Sequence, residues 1–151
     1  SQIVDHVAAT GGRDTLFLQV DGTDEEVLAA PLAGSCREVV VVPIYRWALP
    51  VDVGPAEALV DAICDGNLDA VTFTTRQAAV HLVQIAEARG RRDELLAALD
   101  GVQVVPVSVG PICSESMRSL GMTGLVEPER ARLVAMVDAL ADHARPSDSA
   151  A

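Results

Sequence analysis

The chain repeats one pattern: a short apolar run, then a helix-length stretch whose start is marked by Pro or Thr. Few folds accept that alternation. Strands separated by helix-length crossovers pair in parallel, and the crossovers are right-handed. From residue 55 the rhythm is regular. Pro55 takes the favoured first position of a helix that reaches about Asp65 and is closed by Gly66. Leu68 to Thr74 follows as a strand, and Thr74 or Thr75 caps a helix running through Ala88. Arg89-Gly90-Arg91-Arg92 is a basic turn, and Asp93 to Leu99 a second short helix. Val102 to Val107 is the next strand, and Gly110-Pro111 opens a helix ending at Leu120-Gly121. Leu125-Val126 reads as a short strand, Pro128 as the start of the last helix, and that helix fades near His143. Ala144 to Ala151 reads as a disordered tail.

Upstream of residue 55 the signals are shorter. Ile3, Val4 and Val7 stand at helical spacing before Gly11-Gly12, and Leu16-Phe17-Leu18 reads as a buried strand. Asp21-Gly22 turns the chain, and Thr23-Asp24-Glu25-Glu26 matches the capping box of a helix through about Ala33, ended by Gly34. Glu38 to Trp47 then reads as a strand around four consecutive valines. Pro43 cannot donate to a ladder, so this strand lies at an edge or bends there. Ten residues is long where about 5–6 is usual, and passage from one layer into another accounts for the length.

Half the residues are hydrophobic, yet only one Trp, one Tyr and two Phe are present. A core of Val, Leu, Ile and Ala suits parallel strands covered by helices on both faces. The formal charge of −11 argues against nucleic acid or anionic membrane as a partner, because both attract a basic face. Cys36, Cys64 and Cys113 lie far apart and none forms a C-x-x-C pair, so neither a zinc site, a redox pair nor a disulfide framework is signalled. No apolar run approaches the about 20 residues of a membrane span. The amino end, from Ser1 to His6, lacks the basic start and apolar stretch of a signal peptide. The expectation is a cytoplasmic protein. The missing initiator Met raises a processed or truncated start.

In parallel sheets ligands bind at the carboxyl ends of strands, where loops enter helix N-termini. Two loops answer that description, at Thr74-Thr75-Arg76 and at Ser108-Val109-Gly110-Pro111. Each helix start offers free N–H groups and the positive end of a dipole. For the first loop the plain alternative is N-capping by a Thr. Gly110 lets a ligand approach the backbone, or makes a tight turn. Cys113 stands in a first helical turn, where the dipole favours a thiolate, but none of His6, His81 and His143 is signalled as its base, so it reads as a small, half-buried residue rather than a hydrolase nucleophile. His81 lies mid-helix, facing solvent or lining a groove. Tyr45-Arg46-Trp47 is an aromatic plug over a sheet edge, or a Tyr hydroxyl held over a cleft with Arg46 near for a carboxylate. No G-x-G-x-x-G or P-loop pattern occurs.

Three segments, in this order, resemble the carboxyl-terminal half of uroporphyrinogen-III synthase. They are Val42-Pro43-Ile44-Tyr45-Arg46-Trp47, Gly66 through Thr75, and Val109-Gly110-Pro111 followed by Leu120-Gly121. The first looks most like actinobacterial members, some of which carry an appended winged-helix domain. The resemblance implies a flavodoxin-like α/β fold in two domains joined by a two-stranded linker, with the active site in the cleft between them. Residues 1–37 would be a remnant of the second α/β domain, 38–47 a linker strand and 48–143 most of the first domain, with 144–151 the tail. It implies that linear hydroxymethylbilane loses water and closes to uroporphyrinogen III, its last pyrrole inverted through a spirocyclic intermediate, with no metal or organic cofactor. Tyr45 matches a tyrosine proposed to assist departure of the hydroxyl. Thr75 falls where the family has a Ser in F-T-S-P-S, beside Thr74, and would hold a substrate carboxylate. Gly110 and Pro111 match the G-P-x-T loop.

The chain departs from these motifs at three places. Arg76 and Gln77 replace Pro and Ser, and Cys113 replaces the Thr of G-P-x-T. Arg76 and Cys113 are thereby also candidates for contact with substrate. The resemblance implies that the family's amino-terminal half lies outside residues 1–151, so the partner expected is that half or a second copy of the chain. Two other readings stay open: a sensing or regulatory module that binds a tetrapyrrole or another anion without turnover, and an unrelated flavodoxin-like binding domain.

Overall fold

The computed structural model describes residues 2–10, 15–20 and 25–145 and divides into two compact units, Ser1–Ala48 and Leu49–Ala151. Gly11-Gly12, the Asp21-Gly22 turn, Thr23 and Asp24 of the capping box, and the tail from residue 146 lie outside the described residues. Both units are built of parallel strands flanked by helices. Among the described residues no helix is long and apolar enough to cross a membrane.

The first unit runs α1 (Gln2–Thr10), β1 (Thr15–Val20), α2 (Glu25–Ala33) and β2 (Glu38–Pro43). β1 alternates outward and inward side chains, and Leu18 and Val20 go inward to meet Leu32 of α2. β2 pairs with it in parallel from Thr15↔Glu38 to Val20↔Pro43. The expected ten-residue strand is therefore six residues long. One further bond, from the Ile44 N–H to the Val20 carbonyl at 3.0 Å, carries the pairing just past Pro43. Residues 44–50 then have no regular structure. Pro43 has no N–H to offer, and Ile44, Tyr45 and Trp47 are exposed, so burial gives nothing to extend the strand.

The second unit runs α3 (Gly54–Cys64), β3 (Ala70–Phe73), α4 (Arg76–Ala88), α5 (Arg92–Ala98), β4 (Val105–Ser108), α6 (Pro111–Leu120) and α7 (Leu133–Ala144). β3 and β4 pair in parallel from Ala70↔Val105 to Phe73↔Ser108. Val71 and Phe73 meet Val60 and Ile63 of α3, Leu82 of α4 and Met117 of α6 in one core. Expected strand Leu125-Val126 reduces to a single bridge, Val126 against Val107, held by the Ser108 N–H on the Val126 carbonyl at 2.9 Å. Below it Gly101 and Gly124 meet backbone to backbone. A methyl on Gly101, at φ +84°, would lie 2.6 Å from the Gly124 Cα, so a side chain there is excluded twice over.

The last helix begins five residues later than Pro128 suggests, at Leu133. Residues 127–132 make a non-helical strap, with Pro128 buried and Arg132 extended at φ −145°. A local Pro signal lost here to packing: Ala131 of the strap seats on Gly110, which a helix starting at Pro128 would not arrange.

Candidate functional site

The two loops named from sequence lie side by side. The Val109 N–H donates to the Phe73 carbonyl at 3.0 Å, tying the end of β4 to the end of β3. Thr74-Thr75 and Val109-Gly110 therefore leave the sheet together, and α4 and α6 present their N-termini at the same end of it. First-turn N–H groups have no partner within their own helix, and two such ends add a positive potential in an acidic chain.

Thr75 is the N-cap of α4. Its extended backbone (φ −143°, ψ 149°) turns Oγ1 to accept from the Ala78 N–H at 3.1 Å. The hydroxyl is thus already engaged as an acceptor, while its own proton and the exposed position leave it able to donate outward. Thr74 is exposed as well, and Arg76 is half-buried in the first turn of α4.

The second loop differs from its sequence reading. Gly110 is buried, and a methyl there would lie 2.6 Å from Ala131 Cβ and 3.1 Å from Ala131 Cα. The space left by its missing side chain is filled by the protein's own strap, as a tight turn at Gly110 allows. Pro111 stays exposed at the mouth of α6. Cys113, the other residue of this segment assigned to substrate, lies inward. It is 4% exposed, with Sγ turned to the Phe73 carbonyl at 3.6 Å and to Met117 Sδ at 3.7 Å. Burial pushes its thiol up from the usual range, opposite to what a reactive cysteine needs. The position two residues past the Gly-Pro turn faces the core, and a small thiol suits it.

Beside Cys113, Ser114 and Ser108 are both fully buried and share a hydrogen bond through their hydroxyls. The Ser114 N–H bonds the Gly110 carbonyl at 3.0 Å. This pair joins the end of β4 to the first turn of α6. Ser114 and Ala131 carry no pattern that would have marked them from sequence, because both act through contacts distant along the chain.

Tyr45 lies in the first unit, 51% exposed, its ring edge-on to Trp47 at 5.6 Å and 83°. His81 is half-buried on α4 and within 3.4 Å of Gln77 Nε2. Among the described residues no three His, Cys, Asp or Glu side chains gather as a metal site. A cleft of about 620 Å³ opens between residues 125–130 and α7. Glu127, Glu129, Asp138 and Asp142 line it against Arg130 and His143, so its charge suits no polycarboxylate.

The family model for uroporphyrinogen-III synthase HemD matches residues 3–138. The chain belongs to the uroporphyrinogen-III synthase family. A Methanothermobacter thermautotrophicus protein named "Putative uroporphyrinogen-III synthase" is 43% identical over 116 residues, which are 77% of this chain and 44% of that protein. The uncharacterized protein YjjA of Bacillus subtilis is 28% identical over 129 residues, 85% of this chain and 47% of YjjA. The structure of Thermus thermophilus uroporphyrinogen III synthase superposes with a TM-score of 0.56 at 23% identity, over 89% of this chain and 52% of that one. This family member thus spans about half the length of the relatives it matches. Membership removes the unrelated flavodoxin-like domain from the readings.

Proposed function

We propose that this chain supplies one wall of a uroporphyrinogen-III synthase site, in which hydroxymethylbilane loses water and closes to uroporphyrinogen III. The observation that carries the reading is the pair of adjacent strand ends, each opening into a helix N-terminus, in a chain of this family. Thr74, Thr75, Arg76 and Pro111 are the groups assigned to the substrate's carboxylates. The chemistry asks mainly for folding and orientation of a long flexible substrate, which fixed backbone N–H groups provide at low entropic cost. Tyr45 is assigned to departure of the hydroxyl. In this reading the first unit is the remnant of the second family domain, 38–47 the connection, and the second unit the first domain. The complementary half, or a second copy, completes the cleft, and the reaction takes place in the cytoplasm. The likeness of Val42–Trp47 to actinobacterial members, with a winged-helix domain in the parent protein, belongs to the same proposal.

The test is incubation with freshly generated hydroxymethylbilane and separation of the product isomers. Uroporphyrinogen III in excess of the spontaneous isomer I supports the reading, and isomer I alone in the presence of the complementary half sinks it. The inward Cys113 and the strap over Gly110 favour one alternative, a module that binds the tetrapyrrole without turnover. Binding that Thr75→Ala and Arg76→Ala weaken, with isomer I as the sole product, selects that alternative.

A further inference from the structure

Past Pro43 the chain loses its ladder, and an aromatic pair takes over the task of holding Tyr45. β2 ends at Pro43, and the last bond to β1 is the Ile44 N–H on the Val20 carbonyl. Tyr45 comes next. Among the described residues it makes no backbone or side-chain hydrogen bond, and it belongs to neither hydrophobic core. What meets its ring is the indole of Trp47, edge to face at 5.6 Å and 83°. The two are two residues apart, the spacing that shares one face of an extended chain.

That contact decides where the phenol points. Tyr45 is 51% exposed and Trp47 41%, so burial does little to select one orientation. An edge-to-face pair sets the positive rim of one ring against the negative face of the other, and it biases an equilibrium by roughly two- to tenfold. Trp47 is also engaged by a further interaction, which makes it the anchored member of the pair. A reacting group that swings between rotamers is productive for only part of the time, and misplacement by about 1 Å can cost on the order of a hundredfold in rate.

We propose that Trp47 is a positioning residue of the synthase site, holding the Tyr45 phenol in the direction from which it serves the departing hydroxyl of hydroxymethylbilane. The inference rests on the enzymatic reading given above. In the step concerned the hydroxymethyl C–O bond breaks with its electron pair on oxygen, and the phenol proton completes a water molecule. The proton that carbon gives up as the macrocycle closes restores the phenol. Trp47 touches no reacting atom and sets the fraction of molecules in which Tyr45 is in place.

The test combines the chain with its complementary half and freshly generated hydroxymethylbilane. It compares the parent with Trp47→Leu, Trp47→Phe, Tyr45→Phe and the double variant of Trp47→Leu with Tyr45→Phe. Trp47→Leu is expected to lower kcat for isomer III about two- to tenfold at unchanged KM, and Trp47→Phe to return most of that loss. In the Tyr45→Phe background Trp47→Leu should lower kcat no further, because the group it positions is already gone. Circular dichroism should match the parent throughout, since both side chains are exposed. A second readout needs no turnover. The chain has one Tyr and one Trp, so the Tyr45 ring protons are identified at once by NMR. The indole ring current should displace them from the shifts of an unstructured tyrosine, and Trp47→Leu should return them. Unchanged kcat in Trp47→Leu, a loss that adds to that of Tyr45→Phe, or Tyr45 shifts that Trp47→Leu leaves in place overturns the positioning role alone. Isomer I as the sole product of the parent overturns the enzymatic reading, and the positioning role with it.

Discussion

At Gly110 one missing methyl determines which part of the molecule lies over the second loop. With Ala131 Cβ only 2.6 Å from where a methyl would sit, Gly110→Ala overpacks the contact and is expected to cost about 1–3 kcal/mol. Combining it with Ala131→Gly is expected to return part of that loss, and urea unfolding of the two single variants and the double variant measures the coupling. Thr75 is the opposite case, a residue whose role shows locally. Thr75→Ala deletes the acceptor of the Ala78 N–H and should cost about 1 kcal/mol, while Thr75→Ser keeps the cap. Those variants separate capping from ligand contact: Ser restores stability and binding together only if the hydroxyl serves both. Cys113 carries a pH prediction. Its thiol is raised by burial, so the folded state holds the proton to higher pH than the unfolded one. The stability this contributes is present below the unfolded pKa, whose ordinary value is 9.0, and declines above it. Melting temperature should fall from pH 9 upward, less steeply in Cys113→Ala after correction for Cys64, whose thiol burial also raises.

Among the elements, α3, α4 and α5 are joined at one end by charge. Arg89 from the end of α4 bonds Asp61 of α3 at 2.8 Å, and Arg91 reaches Asp61, Asp65 and Glu94 together. The hydrogen bond from Arg89 holds the Asp61 carboxyl below its ordinary range, and the one from Arg91 does the same for Glu94. Depressed carboxylates stabilise the fold above their unfolded pKa values, and that contribution disappears as the pH falls through the folded ones. The loss therefore belongs below the ordinary carboxylate range. Thermal melts from neutral pH into that range should show a shallower decline for Asp61→Asn than for the parent, from a lower starting stability. High salt should narrow the difference, because these side chains are 23–39% exposed at Arg91, Arg89 and Asp61. The basic turn at 89–92 is thus a clasp between helices, a role that its sequence left open.

For the molecule as a whole, the chain and the proposed substrate carry charge of the same sign. A chain of −11 repels a polycarboxylate at long range, and in the proposed reading the local N–H groups and Arg76 attract it at contact. Raising ionic strength from about 0.01 to about 0.15 M shortens the screening length from roughly 30 to 8 Å. Binding of uroporphyrinogen, followed by fluorescence after oxidation of the free fraction, is expected to tighten over that interval. Weakening instead would mean that the ligand meets a cluster of cations rather than the two helix ends.

What the sequence determined by itself was local. Thr75 before an amphipathic run placed the start of α4, Pro111 placed that of α6, and Gly66 and Gly121 marked where helices stop, because caps and φ limits act over a few residues. The strand–helix alternation pointed to the pair of loops, and three ordered motifs were enough to reach the family. Tertiary structure decided what depends on contacts between distant residues. It ended β2 at Pro43, where no buried face rewards the next four residues, and delayed α7 to Leu133, where a strap must pass over Gly110. It also turned Cys113 into the core and left Thr75 outside. Helical periodicity gives the spacing of faces, but which face is inward is settled only when another element packs against it.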